Sequence, residues 1–151
     1  MLLLPTAQIW SDVPLILTPS QNFTARGYHA LFAAAGDFPD FPARFNLLQN
    51  LTANLDKPGV YVTHMYGTDV ATPTAFVYDQ NLPYGDAFVQ GPTKTANGDG
   101  DGTVPARSLQ SVENKWGPGV VRVKRYPGAS HTGILKNKTY IADLIALLQQ
   151  S

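Results

Sequence analysis

Cysteine is missing from all 151 residues. That excludes disulfides, thiolate nucleophiles and Cys-ligated zinc, and it leaves the redox compartment unreadable from thiols. Charge is scarce and balanced, 11 Lys and Arg against 11 Asp and Glu, for a formal net charge of +0. There is thus no basic footprint for nucleic acid and no polybasic patch for anionic membranes. No apolar run approaches membrane-spanning length. The start, Met1-Leu2-Leu3-Leu4-Pro5, imitates a signal peptide but has no basic n-region, and its leucines are too few for an h-region. Also absent is any Gly-x-Ser-x-Gly, the strand-to-helix elbow that exposes a serine nucleophile.

What remains is enough to build a core: 44% of residues are hydrophobic and 11% aromatic, in a chain of one domain's length. Val13 to Thr18 reads as a short strand entering a turn at Pro19. Thr24 is expected to cap a helix running to about Ala35, stopped by Gly36. After a proline-rich linker, Phe45, Leu48, Leu51 and Leu55 form the stripe of a second helix, ended by Pro58-Gly59. Val60 to Tyr66 is β-branched and aromatic throughout, a strong strand closed by Gly67. Thr68 to Ala96 alternates apolar patches with Pro, Gly, Asp and Asn and reads as a small hairpin or a long excursion over the strand ends. Leu109, Val112 and Trp116 mark a short helix, Val120 to Tyr126 a second strong strand, and Ile141, Leu144, Ile145 and Leu148 one face of a last helix. From residue 58 the order is strand, helix, strand, helix, which implies parallel strands with functional loops at their C-terminal ends.

Two such loops carry the chemistry. Asn97-Gly98-Asp99-Gly100-Asp101-Gly102-Thr103-Val104-Pro105 places two carboxylates on a tight, glycine-rich turn. His131 lies in the next loop, Tyr126-Pro127-Gly128-Ala129-Ser130-His131. A triad acid must sit on a rigid turn and accept the imidazole Nδ1–H, while the histidine takes and returns a proton near neutral pH. Asp101, in a D-x-x-V-P setting, and His131 fit the acid and base of the order Ser…Asp…His. Taken singly, Asp101 reads better as part of an ordinary solvated turn and His131 as a surface imidazole; only the two together, in this order and topology, read as triad members. A calcium loop is the rival reading: Asn97, Asp99 and Asp101 fall at positions 1, 3 and 5 of an EF-hand-like pattern with Gly102 at 6. Position 12, however, is Ser108 rather than a bidentate Glu. His64 reads as a packed core or interface residue and His29 as solvated, and neither forms a metal-ligand spacing. Phe76, Tyr78, Tyr84 and Phe88 could meet an acyl chain or pack against their own sheet. The nucleophile has no candidate: Gly128-Ala129-Ser130-His131-Thr132 lacks the second glycine and follows the acid, so the chain alone is expected not to catalyse.

Three Asn-X-Thr sequons, at Asn22, Asn50 and Asn137, fit either chance in a chain rich in Asn and Thr or a secretory-pathway parent, of which this would be a later part.

Several blocks resemble the lecithin:cholesterol acyltransferase and lysosomal phospholipase A2 family. Leu17-Thr18-Pro19-Ser20-Gln21-Asn22-Phe23-Thr24 is similar to its "TPS-x-N-[YF]-T" block, and Pro58-Gly59-Val60 through Met65-Tyr66-Gly67-Thr68 to its "PGV…LYG" strand. Thr72-Pro73-Thr74 matches its "TPT" turn, and Tyr78-Asp79 and Pro83-Tyr84 follow in family order. Gly98 to Val104 resembles the "DGDGTV" acid loop and Pro127 to His131 the histidine loop. The resemblance implies an α/β fold: the C-terminal part of an α/β-hydrolase with an incomplete parallel sheet. Residues 1–57 would be a cap-like or linker-like segment and 58–151 the part of the core carrying both loops.

It further implies transfer of an acyl group from a glycerophospholipid to an alcohol or water, with Asp101 as acid, selected over Asp99 by the D-x-x-V spacing, and His131 as base. No cofactor or metal is implied. The expected partners are a phospholipid at a membrane or lipoprotein surface and the missing N-terminal part of the same enzyme. The implied setting is secreted or lysosomal. The sequence departs from the family at His64-Met65, where a Cys is usual, and at Thr132-Gly133-Ile134. The alternative is a non-catalytic lipid- or partner-binding module on a hydrolase-like half-sheet, which would leave a strand edge and an apolar face uncovered and make the isolated chain marginal or aggregation-prone.

Overall fold

A computed structural model describes residues 5–36, 40, 43–47, 56–81 and 91–150. The chain divides into two compact units, Met1–Leu55 with Thr74–Ala96, and Asp56–Pro73 with Asn97–Ser151.

In the first unit a single turn of helix, α1 (Ala7–Trp10), leads into β1 (Pro14–Leu17), β2 (Asn22–Thr24) and helix α2 (Tyr28–Ala35). From the sequence, a helix capped by Thr24 is expected here. Instead, residues 22–24 pair antiparallel with β1, the Thr24 carbonyl accepts the Gly27 N–H at 3.0 Å, and Gly27 stands at the helix N-cap. The tertiary gain explains the difference: an extended Asn22-Phe23-Thr24 drops Phe23 into the core, worth about 1.5–3 kcal/mol for a side chain of that size. Its core companions are Trp10, Leu15, Ala25, Tyr28, Leu31 and Phe45. Residues 43–47 are helical and Phe45 is buried, whereas Leu48, Leu51 and Leu55 of the expected stripe lie outside the described residues. The stretch read as a small hairpin or a long excursion contributes β4 (Thr72–Val77) and β5 (Lys94–Gly98) as neighbours in a sheet of order β2-β1-β4-β5, with β1 and β4 parallel.

The second unit is built on β3 (Val62–Thr68) and β6 (Val121–Pro127). They pair in parallel over seven residues, from Val62↔Val121 to Thr68↔Pro127. β3 begins two residues later than expected and runs through Gly67 rather than stopping there. Val60 and Tyr61, read as part of it, are 65% and 66% exposed. Between β5 and β6 lie the short helices α3 (Ala106–Leu109) and α4 (Ser111–Trp116), and after β6 come a 3₁₀ turn (Gly133–Lys136) and helix α5 (Lys138–Leu148).

Register partners share a face of the sheet, so Tyr66 and Arg125 point one way and Tyr126 and Lys124 the other. Glu113 of α4 reaches the first face: it accepts the Tyr66 hydroxyl at 2.9 Å and Arg125 Nη2 at 2.7 and 2.8 Å. α5 covers the second, with Asp143 accepting the Tyr126 hydroxyl at 2.9 Å and pairing with Lys124 at 2.5 Å. Tyr140 stands edge-on to Tyr126. The result is a helix–sheet–helix sandwich only two strands wide among the described residues. The α5 stripe turns away from this contact. Ile141, Leu144, Ile145 and Leu148 remain 39%, 37%, 50% and 68% exposed. Among the described residues no helix is long and apolar enough to cross a membrane.

Candidate functional site

Both loops singled out in the sequence belong to the second unit and meet. Asp101 follows Gly100, which is bridged to Pro105 across the turn, while Asp101 is itself bridged to Val70 on the other side. The chain then reverses through Gly102 at φ +88°, a conformation open to glycine at no steric cost. Asp101 is 4% exposed, so its carboxylate needs partners, and it has them on both oxygens. Oδ1 accepts the Thr103 and Val104 amides at 2.9 and 2.7 Å, and Oδ2 lies 2.7 Å from His131 Nδ1. Burial pushes this carboxyl's pKa up, but the Val104 amide, the imidazole and the Thr103 amide outweigh it, and the net direction is downward. An ionised carboxylate only accepts, so His131 Nδ1 carries the proton of this bond and Nε2 is left as the ring's basic nitrogen.

The histidine loop is fixed as firmly as the acid turn. Gly128, at φ +75°, donates its N–H to the Thr68 carbonyl at 2.7 Å, and the His131 N–H donates to the Asp101 carbonyl at 2.7 Å. His131 is therefore tied to Asp101 by both backbone and side chain. Its ring stays half exposed. Beneath the loop lies Gly67: a Cβ there would overlap the Ala129 carbonyl oxygen outright and sit 2.9 Å from its carbon. This approach explains why β3 passes through a glycine that the sequence suggested as a stop.

Asp99 is drawn into a different task. Its Oδ1 accepts the Asp69 N–H at 2.7 Å, holding Asp69 in the left-handed region at φ +61°, which aspartate tolerates better than most side chains. Asp99 thus ties the loop after β3 to the acid turn, while Asp101 meets the histidine. Asp99 and Asp101, at positions 3 and 5 of the EF-hand-like spacing, are thus engaged with different partners. Among the described residues no three His, Asp or Glu side chains gather as a metal would require. His64 is half-buried, its ring edge-on to Tyr66 at 4.8 Å. Burial lowers its pKa, opposed by Glu113 and reinforced by Arg125. His29 is exposed and lies 3.2 Å from the Asn46 side chain. Phe76 is 42% exposed, Tyr78 half-buried, and Tyr84 and Phe88 fall outside the described residues. Of the sequons, Asn22 is exposed on β2, Asn137 caps α5 by accepting the Tyr140 N–H at 3.1 Å, and Asn50 lies outside the described residues.

Sequence reasoning missed two contributors to this site. One is Thr72, fully buried beneath the acid turn. The other is the tethering role of Asp99. The signal available for the first was a threonine in the "TPT" turn, with nothing to show which loop it would touch.

Comparison with known proteins places the chain among relatives. No protein-family model matches the chain. It is 35% identical over 154 residues to the lysosomal phospholipase A and acyltransferase of Rattus norvegicus, covering 97% of this chain and 34% of that protein. It is 31% identical over 146 residues to lecithin-cholesterol acyltransferase-like 1 of Oryza sativa subsp. japonica, covering 93% of this chain and 32% of that one. A phosphatidylcholine-sterol acyltransferase of Gallus gallus is 35% identical over 107 residues, 70% of this chain and 24% of that protein. The chain therefore spans about a third of the length of the first two curated relatives.

Proposed function

Since the chain belongs to the family of lysosomal phospholipase A/acyltransferases and lecithin-cholesterol acyltransferase-like proteins, we propose that it supplies the acid and base of a lipid acyl-transfer site. The observation that carries this reading is the 2.7 Å contact between His131 Nδ1 and a buried, doubly amide-bonded Asp101. In the reaction, a serine hydroxyl outside these residues attacks the acyl carbonyl of a glycerophospholipid as His131 Nε2 takes its proton. The imidazolium, held by Asp101, returns that proton to the departing alcohol oxygen, leaving an acyl-serine. A second alcohol or water then attacks the acyl-serine, again with His131 as base, and the serine is restored.

The serine and its oxyanion donors come from a complementary part of the enzyme that extends the sheet. Three features support this: no Gly-x-Ser-x-Gly within the chain, a parallel pair with no third strand among the described residues, and the bare stripe of α5. Purely parallel sheets are otherwise buried on both faces. The setting is a compartment of the secretory pathway, as the word lysosomal in the names of several relatives suggests, with the exposed Asn22 open to glycosylation there.

The test is esterase turnover of a short acyl ester. Residues 1–151 alone should give none. A chimera in which they replace the matching third of the rat relative should give turnover that falls by about 10³-fold or more on His131→Ala, as for loss of a triad member. Turnover by the isolated chain, or a chimera indifferent to His131→Ala, would refute the reading.

A further inference from the structure

Thr72 is the largest side chain in the described structure with essentially no exposure, and nothing in the acid and histidine motifs gives it work to do. Its hydroxyl donates to the Val70 carbonyl at 2.8 Å and accepts the Gly102 N–H at 2.8 Å. A hydroxyl has one proton, so donation toward Val70 turns a lone pair toward Gly102. Gly102 follows Asp101 directly, and its positive φ sets the direction in which the Thr103 and Val104 amides return to the carboxylate. On the other side of the acid, the Gly100 carbonyl accepts the Val70 N–H at 3.0 Å. Gly100 itself admits the threonine: a Cβ there would stand 2.5 Å from Thr72 Oγ1 and 2.8 Å from its Cβ. The residues before and after Asp101 are therefore both fastened to the segment that carries Thr72.

We propose that Thr72 is a positioning residue for the Asp101–His131 pair, its hydroxyl holding the Gly102 amide so that the acid turn presents Oδ2 to the imidazole. This rests on the catalytic reading for its purpose but not for its geometry. Thr72 acts through the turn: the partners of the carboxylate are the two amides and His131, and Asp99, the nearest other acid in sequence, is engaged with the Asp69 amide. A threonine that merely filled space would be replaceable by valine, which has the same shape and no hydroxyl. A positioning hydroxyl would be replaceable by serine.

The experiment uses the full chain, isotopically labelled, with Thr72→Val, Thr72→Ser and Thr72→Ala variants. Two NMR signals report on the pair: the pH midpoint of the Asp101 carboxyl carbon, and the far-downfield proton of the His131 Nδ1–H. In Thr72→Val the Asp101 midpoint should move up toward the ordinary carboxylate value and the downfield proton should be lost to exchange. Thr72→Ser should keep both signals. A folded Thr72→Val with both signals unchanged overturns the proposal, as does a Thr72→Ser indistinguishable from Thr72→Val. Should the valine variant not fold, Ser against Ala decides: retention in Ser with loss in Ala supports the proposal, and equal behaviour overturns it. If catalysis proves independent of His131, these signals are untouched, so that failure is distinguishable from this one.

Discussion

Gly67→Ala tests the packing beneath the histidine loop. The added Cβ would overlap the Ala129 carbonyl oxygen and approach its carbon to 2.9 Å, where unstrained carbons keep about 3.5–4.0 Å. The obstacle is backbone, so no rotamer change relieves it, and residues 127–131 must lift away from β3. Overpacking of this kind costs about 1–3 kcal/mol. The lift also stretches the Gly128 N–H bond to Thr68 and the His131 N–H bond to Asp101, each worth about 1 kcal/mol. A total near 4 kcal/mol, with a urea slope of about 2 kcal/mol per M, lowers the urea midpoint by about 2 M. Circular dichroism at low protein concentration would measure it, with the downfield His131 proton as a second readout. Gly119→Ala is the control, because a Cβ there meets nothing within 4 Å, and it should stay within about 0.5 kcal/mol of the parent chain. Equal midpoints for the two variants, with the His131 proton intact in both, would refute the account of why β3 carries a glycine at this point.

Stability should also fall in acid through Asp101. Its folded pKa lies below the ordinary 3.8, so its contribution is complete above that value and is lost as pH falls through the folded pKa; Asp101→Asn should flatten this part of the pH–stability curve. His64 acts one step higher. Its folded pKa is lowered from 6.5, the stability it supports is complete above that pH and declines as pH falls below it, and His64→Phe should remove the decline. Ile145→Asp with Leu148→Lys, at positions 50% and 68% exposed, should reduce light scattering by the isolated chain without changing its helical signal. Undiminished association would show that the α5 stripe is not the adhesive surface. Glu113→Gln should cost about 1 kcal/mol by urea titration, since it weakens charge-assisted bonds to Arg125 while keeping an acceptor for Tyr66; a loss above about 3 kcal/mol would mean this cluster is far more buried than its half-exposed arginine indicates.

The sequence by itself determined the elements whose signal is local. A short apolar run closed by Pro19 made β1 legible, β-branched runs made β3 and β6 so, the apolar period of 3.6 made α5 legible, and glycines at Gly102 and Gly128 marked turns that need positive φ. It also bounded the chemistry, through an acid turn, a histidine loop and the absence of a serine elbow. The tertiary structure alone decided where signals compete. Asn22–Thr24 became a strand rather than a helix cap because Phe23 gains more by burial beside Trp10 and Leu15 than a cap would return. Gly67 became part of β3 because Ala129, far along the chain, needs its space. Asp101 was set apart from Asp99 by its D-x-x-V setting, but the partner of each was the fold's to supply: Asp99 meets the Asp69 amide and Asp101 the His131 ring. Thr72 shows the limit most plainly: a hydroxyl's worth depends on which donor and acceptor the fold brings to it, and no local pattern records that.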